Sequence, residues 1–442
     1  MRVAIVERNL FGGTCVNTGC IPTKTMVASA YVAHMAKRAL DFGVETNGQV
    51  TTDMKAVKAR KDAISERHRI GVEQWMNSLQ NCTIYRGHAR FESPRKISVG
   101  SKELTAERIF INVGGRARVP PMPGLDQIDY LTNSSMMRVD FLPKHLIIVG
   151  GSYVGLEFGQ MFRRFGGEVT ILERGGRLVG KEDEDVSSTI REILEREGVN
   201  VRLDSNCIGF SKRGNEIIVH ADCDKGPVEI SGTHVLLAVG RQPNTDDLGL
   251  DKAGVAQDKH GYILVDEQLR TNSPGIWALG DCNGKGAFTH TSYNDFEIVA
   301  ANLLDHDPRR LSDRITAYAL YIDPPLGRAG MTEAQVRESG RPALIATRPM
   351  TKVGRAEEKG ETQGFMKVMV DADTHRILGA AILGTGGDEV IHSILDVMYA
   401  KAPYTVIQRA VHIHPTVSEL VPTMLGDLQP LSSAPASVAP AA

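Results

Sequence analysis

One stretch of this sequence has the pattern of a complete strand, turn, helix and strand in a nucleotide-binding fold. The apolar run 145–149 predicts a buried strand, and the glycine-rich turn 150–155 that follows it opens an amphipathic helix. Glu173 closes the next apolar run, 173 − 150 = 23 residues beyond the first glycine, which is the spacing of an acid that binds a ribose 2′-hydroxyl. The glycines would let backbone N–H groups approach a pyrophosphate, although Ser152 replaces the middle glycine. The dinucleotide-binding residues predicted here are Gly150, Gly151, Val154, Gly155 and Glu173.

The start of the sequence repeats the strand that ends in Glu173. Residues 3–7 and 169–173 both read Val-x-Ile-apolar-Glu, and an arginine follows each. The chain therefore holds two copies of one nucleotide-fold element, which indicates an α/β architecture. Only six residues precede Glu7, so the strand, glycine turn and helix that belong before it have no counterpart here. We expect an upstream in-frame extension of about thirty residues, the usual length of a βα unit, to supply them.

Two cysteines with four residues between them, Cys15 and Cys20, lie at the start of a predicted helix. Pro22 fits the first turn of that helix, and residues 26–40 contain no glycine or proline to interrupt it. The helix N-terminus favours a thiolate at Cys20. From spacing alone the pair is a redox-active dithiol, a structural disulfide, half of a metal site or two unpaired thiols. No second cysteine pair has zinc-site spacing, which weakens the metal interpretation.

Charge and hydropathy exclude some classes of partner. The 442 residues carry a formal net charge of −2, with no basic stripe for nucleic acid. No apolar run approaches the length that spans a membrane. Six cysteines are too few for a disulfide scaffold of this size, so we expect a cytoplasmic protein with one catalytic pair.

The segment 12–24, which reads GGTCVNTGCIPTK, resembles the active-site signature of the FAD-dependent pyridine nucleotide–disulfide oxidoreductases. That family includes dihydrolipoamide dehydrogenase, glutathione reductase and mercuric reductase. Further segments resemble it, namely 109–115, 234–244, 271–281 and 412–419. The resemblance implies an α/β fold with two Rossmann-like domains, for FAD and NAD(P), plus a C-terminal α+β dimerisation domain.

The resemblance also implies domain boundaries. Proline-rich residues 120–124 mark a link between domains, and residues 429–442 are rich in alanine, proline and serine, which predicts a disordered tail. The predicted order is a first FAD-binding part at 1–142, an NAD(P)-binding domain at 143–263, a second FAD-binding part at 264–316, a dimerisation domain at 317–428 and the tail at 429–442.

The family's thiol-exchange roles fall on four residues of this sequence. The resemblance makes Cys20 the thiol against the flavin and Cys15 the thiol that attacks substrate. His414 matches the acid–base histidine, and Glu419 matches the carboxylate that orients it. In this family the second subunit supplies the histidine, so a homodimer with a shared active site is implied. The pattern His412-x-His414 is also that of a two-histidine metal edge, which the adjoining proline disfavours.

Other matches concern the cofactors. Lys24 and Glu157 match an ion pair near the flavin N5, where a lysine stabilises negative charge. Tyr153 matches the aromatic residue that covers the nicotinamide pocket, with core packing as the competing interpretation. Asp281 matches the acid that hydrogen-bonds the ribityl chain of FAD. The remaining residues assigned to cofactor binding are Glu7, Gly13, Thr14, Lys24, Gly115, Gly240 and Asp281.

The sequence thus predicts an enzyme that passes electrons from NAD(P)H through FAD to Cys15–Cys20 and on to a small oxidised acceptor, a disulfide or a metal ion. Glu173 favours NADH because it would repel a 2′-phosphate, although Arg174 and Arg177 are placed to hold one. The tail lacks the terminal cysteine pair of mercuric reductases, so the likeness is to the mercuric-reductase-like group without it. The alternatives are dihydrolipoamide dehydrogenase and a truncated, flavin-poor dimer that binds NAD without turnover.

Overall fold

The computed structural model describes residues 2–46, 48–223 and 226–432. The chain divides into two compact units. Unit 1 comprises Met1–Gly150, Met161–Leu172 and Asn206–Arg314, and unit 2 comprises Gly151–Gln160, Glu173–Ser205 and Ile315–Ala442. The predicted nucleotide-binding domain 143–263 is therefore shared between the two units, and the functional domain boundaries stay a prediction.

A parallel sheet lies at the centre of the nucleotide-binding part of unit 1. Strand His145–Val149 pairs in parallel with Glu168–Leu172 on one side and with His234–Leu237 on the other. Such a strand is covered on both faces, which is why its sequence is a continuous apolar run. One cluster of buried residues packs against this sheet, and its other members come from two antiparallel strands, Asn206–Arg213 and Glu216–Cys223, and from the segment 125–128. These members are Leu125, Ile128, Phe210, Ile217 and Val219.

The remaining strands of unit 1 form small sheets. Two are parallel pairs, Val3–Glu7 with Cys82–Arg86 and Ile109–Ile111 with Ile276–Ala278. Among the described residues each of these pairs is a separate two-stranded sheet. The antiparallel strands form two three-stranded sheets and one pair. The first sheet comprises Ala89–Ser93, Lys96–Val99 and Lys102–Thr105, and the second comprises Asn206–Arg213, Glu216–Cys223 and Gly226–Gly232. The pair is Gly115–Ala117 with Arg241–Pro243.

The longest helix of unit 1 begins at a capping residue. The long helix Met54–Ser78 starts after Asp53, whose carboxylate accepts from the N–H groups of Lys55 and Ala56 at 2.9 and 3.1 Å. Helix Cys20–Lys37 begins six residues before the predicted run. The other helices of this unit are Gly13–Asn17, Asn133–Met136 and Thr289–Ala300, and Tyr153–Phe165 starts in unit 2 and ends in unit 1.

Unit 2 is built on a six-stranded antiparallel sheet. Its spatial order is Ala317–Leu320, Leu326–Gly330, Ile377–Leu383, Phe365–Asp371, Ala343–Pro349 and Gln429–Pro430. The last of these corrects the sequence analysis, which assigned 429–430 to a disordered tail. Because Ala343–Pro349 would otherwise be an edge strand, its backbone groups are available to this short segment, with Ile345 opposite Gln429. Residues 433–442 of the predicted tail lie outside the described residues.

Helix Gly387–Tyr399 covers one face of this sheet. A Cβ at Gly387 would lie 2.3 Å from the Ile382 carbonyl oxygen, and one at Gly327 would lie 2.2 Å from the Gly387 carbonyl oxygen. Only glycine permits this close approach of helix and strand. The other helices of unit 2 are Glu184–Arg196, Glu333–Glu338, Gly354–Glu358, Thr405–Gln408 and Leu420–Gly426, and Asn200–Arg202 is a further strand. Within the described part of the chain, no helix combines the length and apolarity that crossing a bilayer requires.

Candidate active site

Two glycines bring the cysteine pair together. Cys15 lies in the short helix Gly13–Asn17, and Cys20 is the first residue of helix Cys20–Lys37. Gly12 has a φ of 93°, and a Cβ there would lie 2.6 Å from the Val16 Cβ. A Cβ at Gly19 would lie 2.9 Å from the Thr14 carbonyl oxygen. Gly12 precedes the first helix and Gly19 separates the two helices, so the chain can enter the first helix and turn into the second only because both positions lack a side chain.

The two sulfurs form a thiol–thiolate pair. The Cys15 thiol donates a hydrogen bond to the Cys20 sulfur, which lowers the pKa of Cys20 to about 6 and raises the pKa of Cys15 above its usual range. The positive charge of Lys24 lowers the pKa of Cys20 further. Near neutral pH Cys20 is therefore ionised and Cys15 carries the proton.

Thr289 is a site residue to which the sequence analysis assigned no role. Its Oγ1 lies 3.2 Å from the Cys20 Sγ and contributes to the lowered pKa of Cys20. Thr289 is the first residue of helix Thr289–Ala300, 269 residues along the chain from the cysteine. No local spacing in the sequence reveals such a contact.

We expect the reactivity of Cys20 to depend on pH through this hydrogen bond. Because its pKa in the folded protein lies below that of an ordinary cysteine, the thiolate persists above about pH 6 and is lost as the pH falls through 6. Thr289→Val should move this midpoint upward by roughly one pH unit. Alkylation of the reduced protein by iodoacetamide, with the Cys20 peptide followed by mass spectrometry, measures the midpoint.

The matched control is Thr291→Val, because the Thr291 hydroxyl donates to the Phe288 carbonyl at 2.7 Å and not to a cysteine. It should leave the midpoint at about 6. An equal shift in both threonine variants would contradict a specific role of Thr289.

Asp281 is fixed at the end of a strand of unit 1. It lies in the turn Gly280–Asn283, and its Oδ2 is 3.4 Å from Arg241 Nη2, which also donates to the Gly115 carbonyl at 2.5 Å. Gly280 has a φ of 71°, and a Cβ there would lie 2.7 Å from the Ser292 Oγ. Arg241, which the sequence analysis did not select, thus links Asp281 to the glycine turn at 114–115.

The glycine turn of the nucleotide-binding unit has its own hydrogen bonds. Gly150 has a φ of 115°, and a Cβ there would lie 2.4 Å from the Ala238 carbonyl oxygen. The Glu173 carboxylate accepts from Gly151 N at 2.6 Å and from Gly175 N at 2.8 Å. This places the carboxylate beside the turn. Ser152 does not adopt a positive φ, so the backbone conformation at this position does not require glycine.

Three further predicted residues have defined surroundings. Glu7 accepts from Asn9 N at 2.8 Å. Glu157 is buried, and its Oε1 accepts from Tyr321 N at 3.1 Å. Lys24 belongs to unit 1 and Glu157 to unit 2, so their ion pair stays a prediction.

His414 and Glu419 are neighbours in unit 2. The His414 Nδ1 lies 3.0 Å from Glu419 Oε2 and 3.1 Å from Oε1, which leaves Nε2 for other partners. The His414 side chain is 82% exposed, whereas that of Glu419 is 17% exposed. Val411 and Ile413 on the same segment are 100% and 80% exposed. Among the described residues no group of histidine, cysteine and acidic side chains is arranged to hold a metal ion.

Known proteins resemble the whole chain. Residues 1–295 match the family described as pyridine nucleotide-disulphide oxidoreductase, and residues 316–425 match its dimerisation domain. The chain is 35% identical over 426 residues to the probable pyridine nucleotide-disulfide oxidoreductase RclA of Escherichia coli (strain K12). The matched region covers 95% of this chain and 92% of that protein. It is 32% identical over 423 residues to the mercuric reductase of Streptomyces lividans, across 94% and 89% of the two chains.

A solved structure agrees over the same extent. The Cu(II) complex of the HOCl-induced flavoprotein disulfide reductase RclA from Escherichia coli has a TM-score of 0.87, 34% identity, and covers 96% of this chain and 94% of its own. These likenesses confirm the predicted family and the fold class with its nucleotide-binding and dimerisation parts. The chain belongs to the pyridine nucleotide-disulphide oxidoreductases, enzymes that use FAD and NAD(P)H.

Proposed function

We propose that this enzyme uses NADH, with FAD as its bound cofactor, to reduce the Cys15–Cys20 pair, and that the pair reduces a small disulfide or a thiophilic metal ion. The observation that carries the proposal is the pair itself, a thiol that donates to a thiolate with a pKa of about 6. A thiolate is the form of cysteine that attacks sulfur and binds soft metals. Most cysteines are protonated at neutral pH, so a lowered pKa marks this one for chemistry.

The residues of unit 1 fit the flavin and ribityl end of FAD, which would supply the relay between a hydride donor and a disulfide. The Asp281 carboxylate, held by Arg241, is an acceptor for ribityl hydroxyl groups. Gly280 packs against Ser292 with no room for a side chain, which fixes the turn that carries Asp281. The residues that would hold the cofactor are Glu7, Gly13, Thr14, Lys24, Gly115, Gly240 and Asp281.

Thiol exchange requires both cysteines and a proton donor. In our proposal His414 takes the proton of Cys15 as Cys15 attacks one sulfur of the acceptor disulfide, and the leaving thiolate takes that proton back from His414. The Cys20 thiolate then attacks the Cys15 sulfur of the mixed disulfide, and the second leaving thiolate takes a proton from solvent. The acceptor gains two electrons and two protons, and the pair ends as a disulfide.

We place His414 in the active site of the partner subunit. The chain has the dimerisation domain of its family. The neighbouring side chains of Val411 and Ile413 expose large apolar surfaces, which a second subunit would cover. A histidine beside this surface would face the partner's cysteines, with Glu419 stabilising the imidazolium.

A metal ion is an alternative acceptor at the same pair. The solved RclA structure is a Cu(II) complex, and the Streptomyces lividans relative is a mercuric reductase. When the thiol–thiolate pair becomes a disulfide it releases two electrons and one proton, so it would reduce two Cu(II) ions to Cu(I). We therefore treat Cu(II) and Hg(II) as candidate substrates rather than as resident ions.

NADH is the coenzyme that we propose. The Glu173 carboxylate, which accepts from Gly151 and Gly175, would accept hydrogen bonds from ribose hydroxyls and repel a 2′-phosphate. Of the two arginines that follow, Arg177 donates to the Gly180 carbonyl at 3.0 Å. Because the Arg177 guanidinium is engaged by the backbone of its own loop, it is less available to bind a 2′-phosphate, which supports NADH over NADPH.

The cysteine content fits a reducing compartment. Cys82, Cys207 and Cys282 are free thiols in addition to the pair. We therefore place the enzyme in the cytoplasm, where glutathione and thioredoxin keep such thiols reduced.

A panel of acceptors tests this function. The FAD-loaded enzyme is supplied with NADH or NADPH and with oxidised glutathione, lipoamide, Cu(II) or Hg(II), and coenzyme oxidation is followed. We expect NADH to be preferred and at least one acceptor to be reduced in a reaction that Cys15→Ser abolishes. Lipoamide as the best substrate would identify the dihydrolipoamide dehydrogenase alternative. Turnover that survives Cys15→Ser would contradict the proposed role of the pair.

A further inference from the structure

Hydrogen-bonded side chains form a row within unit 2 that starts at the tyrosine of the glycine turn. Tyr153 packs edge-on against Tyr318, with ring centroids 5.7 Å apart and ring planes at 89°, and a hydrogen bond joins the two hydroxyl groups. The Tyr318 hydroxyl donates to Glu182 Oε1 at 2.6 Å. Because an ionised carboxylate only accepts, the single Tyr318 proton goes to Glu182, and the Tyr318 oxygen accepts from the Tyr153 hydroxyl.

The segment that carries Glu182 is also tied to the glycine turn by its backbone. Val179 N donates to the Gly151 carbonyl at 2.8 Å, and Glu182 N donates to the Val179 carbonyl at 2.7 Å. Val179 has a φ of 40°, a left-handed conformation that is costly for a β-branched residue. The surrounding structure therefore holds this turn in a conformation that the backbone alone disfavours, and the turn brings Glu182 to Tyr318.

A buried arginine fixes the direction of the Glu182 carboxylate. Arg328 Nε donates to Glu182 Oε2 at 3.1 Å, its Nη2 contacts the same oxygen, and Nη2 also donates to Asp183 Oδ2 at 3.1 Å. The side chains of Arg328 and Glu182 are 1% and 0% exposed. Within the described part of the chain, Arg328 Nη1 is buried without a hydrogen-bond partner. Burying this ion pair costs desolvation free energy that offsets the attraction between the two charges. We therefore interpret the pair as a device that orients the Glu182 carboxylate rather than as a source of stability.

We infer that Tyr318 and Glu182 are positioning residues that hold the Tyr153 ring in its covering position when no coenzyme is bound. This inference rests on the proposed role of Tyr153 as the residue that covers the nicotinamide pocket. A coenzyme that displaces the ring must break the hydrogen bond from Tyr153 to Tyr318. The apparent affinity for the coenzyme is therefore lower than it would be with an unrestrained ring.

Tyrosine-to-phenylalanine variants of the FAD-loaded dimer test the inference. Tyr318→Phe keeps the ring contact and removes the acceptor, so we expect NAD⁺ to bind roughly fivefold more tightly, which is the worth of one neutral hydrogen bond. Tyr153→Phe removes the same hydrogen bond and should give the same gain, with no further gain in the double variant. Glu182→Gln, which loses the charge that holds Tyr318, should give a smaller gain. Equilibrium titration with NAD⁺ measures all four.

The matched control is Tyr399→Phe, since the Tyr399 hydroxyl accepts from Ile315 N at 3.2 Å and belongs to no part of the row. It should leave NAD⁺ binding unchanged. Weaker binding of NAD⁺ by Tyr318→Phe, or gains that add in the double variant, would overturn the inference. If Tyr153→Ala binds NAD⁺ like the parent protein, the proposed role of Tyr153 fails. If Tyr153→Ala changes the affinity for NAD⁺ while Tyr318→Phe does not, only the positioning role of Tyr318 and Glu182 fails.

Discussion

Replacing Cys20 with serine is expected to abolish acceptor reduction, with a loss of at least roughly a thousandfold, while NADH is still oxidised in a single turnover. The reason is the chemistry of the pair. A serine hydroxyl is not ionised near neutral pH and forms no disulfide, whereas the Cys20 thiolate has a pKa of about 6. The coenzyme half-reaction does not use this sulfur as a nucleophile. Rapid-mixing measurements of the two half-reactions separate the effects.

Cys207→Ser is the matched control, because Cys207 is also an exposed free thiol of unit 1 but lies far along the chain in a surface strand. It should retain both half-reactions. Full acceptor reduction by Cys20→Ser would mean that electrons leave the enzyme without the pair. Loss of the coenzyme half-reaction in Cys20→Ser would instead indicate that the substitution disturbs the cofactor site.

Local sequence patterns predicted the elements that depend on local chemistry. The run 377–383 forms a strand with those bounds, because seven apolar or small residues buried in the middle of a sheet leave an uninterrupted run. The long helix Met54–Ser78 starts directly after Asp53, a residue type that caps helix N-termini. The cysteine signature and the repeated Val-x-Ile strand likewise lie within short stretches of sequence.

Contacts between distant residues escaped those patterns. Thr289 reaches Cys20 across 269 residues, and a threonine in a helix start carries no sign of such a partner. Lys367 lies in the buried strand Phe365–Asp371, and its ammonium group lies 3.1 Å from Asp183 and donates to Glu333 at 3.0 Å. The edge strand at 429–430 was missed because its composition is that of a tail and only its pairing with 344–345 orders it. Each of these features is fixed by tertiary packing rather than by periodicity.

His414→Ala is expected to slow thiol exchange by roughly a hundredfold, the usual effect of losing a general acid–base group, and to leave the coenzyme half-reaction nearly unchanged. His414 is suited to this role because Glu419 accepts from its Nδ1 and leaves Nε2 exposed to an incoming substrate. His412→Ala is the control, since the His412 Nδ1 lies 3.3 Å from the Ala410 carbonyl oxygen and not beside a carboxylate. An equal loss in both half-reactions would indicate a structural role for His414.

Hybrid dimers decide whether the histidine acts across the subunit interface. Alone, Cys15→Ser should support no turnover and His414→Ala only about a hundredth of it. If His414 serves the partner's cysteines, a dimer of one subunit of each kind has one intact site and one doubly defective site. After equal amounts are unfolded together and refolded with FAD, half of the dimers are hybrids, so the mixture should recover about a quarter of the parent activity. If Cys15 and His414 act within one subunit, every site in every hybrid lacks one group, and the mixture stays nearly inactive.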